Sequence, residues 1–232
     1  MPPIGLIAAL DTTDLQQARA WAQAVRPHCA MLKLGLEFYL THGVAGLRGL
    51  GSDLPIFLDL KLHDIPNTVA GAVRAVLPLA PRMLTLHAAG GAAMVSAARR
   101  ASEDAGPDRP LLLGVTVLTS LDAESLAAIG VAGGPRQQTM RLARLAIDAG
   151  ADGLVCSAHE AAMLRAAFAN TVTLVVPGIR PASAAADDQR RTMTPRDAAE
   201  AGADWLVIGR PITDAADPAS AAAAIAAELA PV

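Results

Sequence analysis

Phe57-Leu58-Asp59-Leu60-Lys61-Leu62-His63-Asp64-Ile65-Pro66-Asn67-Thr68 decides how the rest of the chain is read. Side chains on a strand alternate between its two faces, so Asp59 and Lys61 share one face while Leu58, Leu60 and Leu62 occupy the other. Asp64 follows shortly after Lys61, and Pro66 marks the first turn of a helix and hence the end of the strand. Two carboxylates and an ammonium therefore gather at the carboxyl end of one strand. In a parallel α/β barrel, that end carries the chemistry.

Outward from this stretch the chain alternates between short apolar runs and helical patterns. Runs at 4–10, 30–34, 55–62, 83–87, 111–118, 153–156, 172–176 and 205–208 read as strands. Helical patterns follow at 14–25, capped by Thr12 or Thr13, at 36–50 and at 68–77; another, at 137–149, comes after a glycine-rich insert at 130–134. The three last strands are each followed by a helical pattern. Eight strand–helix units are what a closed (β/α)8 TIM barrel needs. No composition break divides the chain and no internal repeat is evident, so the expectation is a single α/β domain over residues 1–232, with its active site at the carboxyl ends of the strands. A doubly wound open sheet would alternate similarly, but no Gly-x-Gly-x-x-Gly follows the first strand and no Walker-type glycine loop occurs.

Of the 232 residues 53% are apolar, many of them alanine. Asp, Arg, Pro or Gly interrupts each apolar run before the ~18 residues of a membrane span, so a soluble protein without a membrane partner is expected. The start, Met1-Pro2-Pro3-Ile4, lacks the basic segment of a signal peptide, so the cytoplasm is the expected location. Cys29 and Cys156 are too few and too far apart for a disulfide framework or a zinc site and read as reduced core thiols. A formal charge of -3 without a long basic block excludes an electrostatic footprint for nucleic acid. Any bound anion must be held by a local site.

Charged residues collect at one end of the expected barrel. Asp11 closes the first strand, Lys33 lies near the end of the second, and Asp59, Lys61 and Asp64 close the third. Singly, Asp11 reads as a helix cap, Lys33 as a snorkelling stem, and Asp64 as a stabiliser of a helix amino terminus. Pro66 at the first helical position makes Ile65 the cap, however, and leaves Asp64 outside it. Asp59 and Lys61 point into the lumen, where charges survive only in compensated networks. A second cluster follows: Pro177-Gly178-Ile179-Arg180 ends the seventh strand, a polar stretch at 183–191 leads to Thr194-Pro195, and Gly209-Arg210-Pro211 ends the eighth. Loops after the last two strands form the recurrent phosphate site of such barrels, which makes Arg180 and Arg210 phosphate candidates. The loop between them is long enough to act as a lid.

Taken together, Asp59-Leu-Lys61-Leu-His-Asp64-Ile-Pro-Asn-Thr68, Val117-Leu-Thr119-Ser120, Pro177-Gly-Ile-Arg180, Asp188-Gln189-Arg-Arg191 and Ile208-Gly-Arg210-Pro closely resemble the orotidine 5′-phosphate decarboxylase family, in its bacterial group. The resemblance covers essentially the whole chain. It implies conversion of orotidine 5′-monophosphate to UMP and CO2, the last step of de novo pyrimidine synthesis, without metal or organic cofactor. It also implies a charged network of Lys33, Asp59, Lys61 and Asp64 at the reacting carbon, with Lys61 as the proton donor. Asp11 and Lys33 would hold the ribose, and Thr119 and Ser120 would address ribose or pyrimidine. Pro177, Arg180, Gln189, Gly209 and Arg210 would surround the phosphate. Asp64 and Thr68, with Ile65 between them, would reach a neighbouring subunit's site, so a homodimer is implied. His87 fits the family sequence but is read as a barrel histidine without a catalytic role. Related phosphosugar decarboxylases and synthases share the Asp-x-Lys-x-x-Asp block yet use a metal-stabilised enediolate, with an acidic metal ligand where this chain has Lys33. A non-catalytic nucleotide-phosphate-binding barrel is the remaining alternative.

Overall fold

The computed structural model describes residues 4–181 and 193–229. Within them, strands β1 (Gly5–Ala9), β2 (Met31–Gly35), β3 (Ile56–Leu62), β4 (Met83–His87), β5 (Leu111–Val115), β6 (Gly153–Val155), β7 (Thr173–Pro177) and β8 (Trp205–Ile208) pair in parallel and in chain order, and β8 returns to β1. The result is a closed (β/α)8 barrel. Helices α1 (Leu15–Val25), α2 (Leu36–Gly49), α3 (Pro66–Val76), α4 (Ala92–Ser102), α5 (Ala123–Ala128), α6 (Pro135–Asp148), α7 (Ala158–Phe168), α8 (Pro195–Glu200), α9 (Arg210–Thr213) and α10 (Pro218–Glu228) wrap or cap it. None of the described helices is long and apolar enough to cross a membrane.

The period of two in each strand divides the apolar residues between two cores. Even-numbered strand residues such as Leu32, Leu58, Leu84, Leu112, Leu154, Leu174 and Leu206 face the helices and join one large cluster. Odd-numbered residues, among them Ile7, Met31, Phe57, Met83, Leu113, Val175 and Val207, fill the lumen as a second cluster. Lys33, Asp59 and Thr85 continue the lumen face toward the carboxyl ends and are all buried.

Some local expectations are revised. Helix α1 is capped by Asp14 rather than by Thr12 or Thr13, because its carboxylate accepts the free Gln16 and Gln17 N–H groups at 2.8 and 3.2 Å. Thr12 instead accepts the N–H of Asp14 at 3.0 Å. Strand β5 ends at Val115, short of Leu118: Thr116 directs both its N–H and its hydroxyl to the Val155 carbonyl, at 3.2 and 3.0 Å, and turns the chain out of the ladder. Helix α5, capped by Asp122, lies between the fifth strand and the glycine-rich insert, where the sequence pattern assigned no element. As expected, Pro66 is the first residue of α3 with Ile65 as its cap.

The structure also uncovers a short repeat that is easily passed over in the sequence. Ala-Gly-Ala-Asp occurs at 149–152 and again at 201–204, each time just before a strand at the amino-terminal end of the barrel. Asp152 accepts the Leu112 N–H at 2.9 Å, two bonds from Arg109 at 2.7 Å and one from Arg99 at 3.1 Å. Asp204 accepts the Leu174 N–H and one Arg165 bond, both at 2.7 Å. Arg99 and Arg165 also bond the carbonyls of Gly150 and Gly202, glycines at φ 103° and 96° whose missing Cβ leaves room for the arginine stems. Each aspartate thus ties the start of its own strand to the start of the preceding strand and to an arginine of the long helix before that one, α4 for Asp152 and α7 for Asp204.

Burial opposes ionisation of Asp152, but the Arg109 and Leu112 hydrogen bonds and the nearby arginine charges hold its carboxyl below the usual range. Asp152→Asn is therefore expected to lose about 2 kcal/mol at neutral pH, or about 5 °C in Tm. Because the folded-state pKa is depressed, the wild-type advantage is complete above the ordinary value of 3.8 and shrinks as pH falls through the lower folded value. Thermal melts of both proteins across that range check it.

Candidate active site

The carboxyl ends of the strands enclose a cavity of about 290 Å³. One side is charged, formed by Asp11, Lys33, Asp59 and Lys61; Phe57, Val115, Val155, Val175 and Val207 line much of the remainder with apolar side chains. Arg180 and Arg210 sit with Pro177 and Gly209 at the ends of β7 and β8 and line the same cavity, as does Thr119. A charged cluster, an apolar wall and two arginines in one cavity suit an anionic ligand with an apolar body.

The charged side is built around Asp59, whose side chain is 12% exposed. Its two oxygens each accept a bond from Lys61 Nζ at 2.8 Å. Lys33 Nζ lies 3.4 Å from the same carboxylate and bonds Asp11 at 3.2 Å. Burial pushes the Asp59 carboxyl toward its neutral form, but the charges of Lys33 and Lys61, with hydrogen bonds from Lys61 and Thr85, outweigh it and hold the pKa below the usual carboxylate value. Asp11 thus pairs with Lys33 between the adjacent ends of β1 and β2; the cap of α1 is Asp14. Gly35 leaves the space these two need: a Cβ there would stand 2.9 Å from Asp11 Oδ1 and 3.1 Å from Lys33 Nζ.

Lys61 reaches Asp59 because β3 departs from regular pairing. Leu58 pairs with Leu84 but Leu62 pairs with Leu86, so β3 carries extra residues between those points and bulges. Lys61 adopts φ 47°, a left-handed conformation uncommon for a non-glycine residue, and its N–H goes to the hydroxyl of Thr85 at 2.8 Å. The sequence placed Asp59 and Lys61 on one face, but alternation carries no sign of this bulge or of the part played by Thr85. The polar threonine among the apolar residues of β4 is the signal that could have raised it.

Other expected residues lie apart from this cavity. Asp64, Ile65 and Thr68 are exposed on the turn into α3, and Asp64 accepts the Ile65 N–H at 2.6 Å rather than a bond from Lys61. Ser120 is exposed beside Thr119. Gln189 and most of the expected lid, with the 183–191 stretch, lie outside the described residues; at their flanks, the Arg180 N–H bonds the Met193 carbonyl at 3.0 Å. His87 stacks 5.3 Å from His63, and burial, helped by the charges of His63 and Lys61, lowers its pKa against the pull of Asp59. Burial raises the thiol pKa values of Cys29, to about 12, and of Cys156, so both are free, buried and neutral.

Comparison with known proteins fits this arrangement. The sequence model of the Orotidine 5'-phosphate decarboxylase / HUMPS family matches residues 5–225. The chain belongs to this family. It is 55% identical over 228 residues to the orotidine 5'-phosphate decarboxylase of Gluconobacter oxydans, covering 97% of both chains. Its identity to that of Thermobifida fusca is 56% over 227 residues, covering 97% of this chain and 95% of the relative. Among solved structures, the orotidine 5'-phosphate decarboxylase of Lactobacillus acidophilus superposes with a TM-score of 0.87 at 35% identity, over 98% of this chain and all of that one. The charge of Lys33 is one of the influences that hold Asp59 ionised against its burial. Lys33→Met is accordingly expected to raise the Asp59 pKa, read from the pH dependence of its carboxyl 13C shift.

Proposed function

We propose that this chain is an enzyme that decarboxylates orotidine 5′-monophosphate to UMP and CO2, completing de novo UMP synthesis without a metal or organic cofactor. The observation that carries this reading is a single buried carboxylate, Asp59, shared between the ammonium groups of Lys33 and Lys61 inside a cavity that also meets Arg180 and Arg210.

The chemistry needs that arrangement. When the bond between C6 of the pyrimidine and the carboxyl carbon breaks, its electron pair stays on C6 in the ring plane, where the π-system cannot spread it. A fixed ammonium in a nearly dry site stabilises that charge where it forms. Lys61 supplies the ammonium, then transfers a proton from Nζ to C6 and is reprotonated from solvent. Asp59 orients Lys61 by accepting from its Nζ through both oxygens. The Asp11–Lys33 pair meets the ribose, Thr119 and Ser120 the ribose or base, and Pro177, Arg180, Gln189, Gly209 and Arg210 the phosphate. Binding energy from that remote group helps hold C6 against Lys61.

Asp64, Ile65 and Thr68 complete a second copy's site, so the working form is a homodimer and Asp64 joins the network from the neighbouring subunit. Support comes from their exposure on one turn, with Ile65 66% exposed beside the carboxylate. In the same reading residues 1–232 are one barrel domain with its active site at the strand carboxyl ends, and the two buried thiols suit the reducing cytoplasm.

The phosphosugar alternative requires a divalent cation beside Asp59, where Lys33 Nζ already stands 3.4 Å away and would repel it. EDTA-treated protein is therefore expected to retain full turnover, followed as the absorbance change from orotidine 5′-monophosphate to UMP. Loss of turnover restored by Mg2+ would place a metal in the reaction, and no turnover with or without Mg2+ would overturn the decarboxylase reading in favour of a phosphosugar enzyme or a binding barrel. Lys61→Ala is expected to lower kcat roughly 10⁴-fold or more while UMP binding stays measurable by calorimetry. A near-native kcat would remove Lys61 from the chemistry.

A further inference from the structure

We propose that Thr85 is a positioning residue for the decarboxylation, acting through its hydroxyl to lock Asp59 and the strained backbone of Lys61 into one rigid unit. This rests on the reading of Lys61 as the proton donor given above.

Thr85 occupies the middle of β4, faces the lumen and is fully buried. On that face Met83 precedes it and His87 follows it, and Met83 and the adjoining lumen residues Phe57 and Leu113 are apolar. A hydroxyl in such surroundings is costly unless both its functions are used. Here both are. The Thr85 hydroxyl donates to Asp59 Oδ1 at 3.0 Å and accepts the Lys61 N–H at 2.8 Å. Asp59 in turn accepts from Lys61 Nζ, so the backbone of residue 61, the hydroxyl of residue 85, the carboxylate of residue 59 and the ammonium of residue 61 form a closed ring.

The ring answers two problems at once. At φ 47° Lys61 departs from strand geometry, a strained conformation for a non-glycine residue that persists only where its surroundings enforce it. The bulge between Leu58 and Leu62 also separates Lys61 from regular pairing with β4, and Thr85 supplies the bond that pins it. The same hydroxyl fixes one oxygen of the carboxylate that aims the ammonium. Thr85 does not line the cavity, so it acts on the reacting atoms only through these two residues.

The test compares Thr85→Val, which keeps the shape and removes the hydroxyl, with Thr85→Ser, which keeps the hydroxyl and removes the methyl. A misplacement of about 1 Å at a catalytic group costs about 10²-fold. Thr85→Val is expected to lower kcat by about 30- to 100-fold with KM and the UMP dissociation constant within about threefold of wild type, since the phosphate contacts lie elsewhere. Thr85→Ser is expected to recover most of that kcat. Should Thr85→Val not yield folded protein by circular dichroism, Thr85→Cys takes its place, its thiol being a much weaker donor and acceptor of similar size. A kcat within threefold of wild type in the hydroxyl-free variant overturns the proposal, as does an equal loss in Thr85→Ser. Because the unaltered protein is assayed alongside, an active wild type with an unaffected Thr85→Val enzyme removes the positioning role and leaves the decarboxylase reading standing.

Discussion

Everything at the upper end of this barrel depends on one carboxylate having two cationic neighbours. Burial alone would drive Asp59 toward its neutral form, and without Asp59 the ammonium groups of Lys33 and Lys61 would lose the buried carboxylate they share. With Asp59 between them, and Asp11 on the far side of Lys33, the charges alternate and each is held by the next. These four charges balance one another, and Arg180 and Arg210 make the lining as a whole positive. That polarity suits an anionic substrate and, more so, electrons released within it.

The barrel itself was largely legible. Alternation in parallel strands is normally masked because both faces are buried, yet the run from Phe57 to Leu62 showed it plainly, since charge on the lumen face contrasts with leucine on the other. Strand positions followed from apolar runs between turn signals, and β4 and β8 fell where expected. Ends were harder. Leu118 belongs to an apolar run but not to the ladder, because Thr116 spends its bonds on the Val155 carbonyl; nothing local distinguishes that from a continuing strand. At α1, several residues with side-chain oxygens lie in a row, and only the path of the chain decides that Asp14 caps.

Legibility of the site followed the same division. Lys33, Asp59 and Lys61 stood out because charge in a buried strand demands an explanation, and Asp11 met them once the ends of β1 and β2 were brought side by side. Thr85 did not stand out, because threonine is at home in any strand and its significance lies in a bond to a residue far away in sequence. The left-handed turn at Lys61 was equally silent. Residues at a bulge are set by the two strands together, and a single stretch of sequence records only one of them.

The paired aspartate clamps, Asp152 and Asp204, stand at the floor of the molecule, away from the rim where Lys61 and Arg210 meet the cavity. Durability and reactivity are thereby lodged at opposite poles. Changes in the rim loops can retune what the protein accepts without loosening the clasps beneath, and reinforcement of the floor can toughen the molecule without disturbing its reactive groups. For anyone adapting this scaffold, the lower pole is where to add robustness and the upper is where to seek novelty.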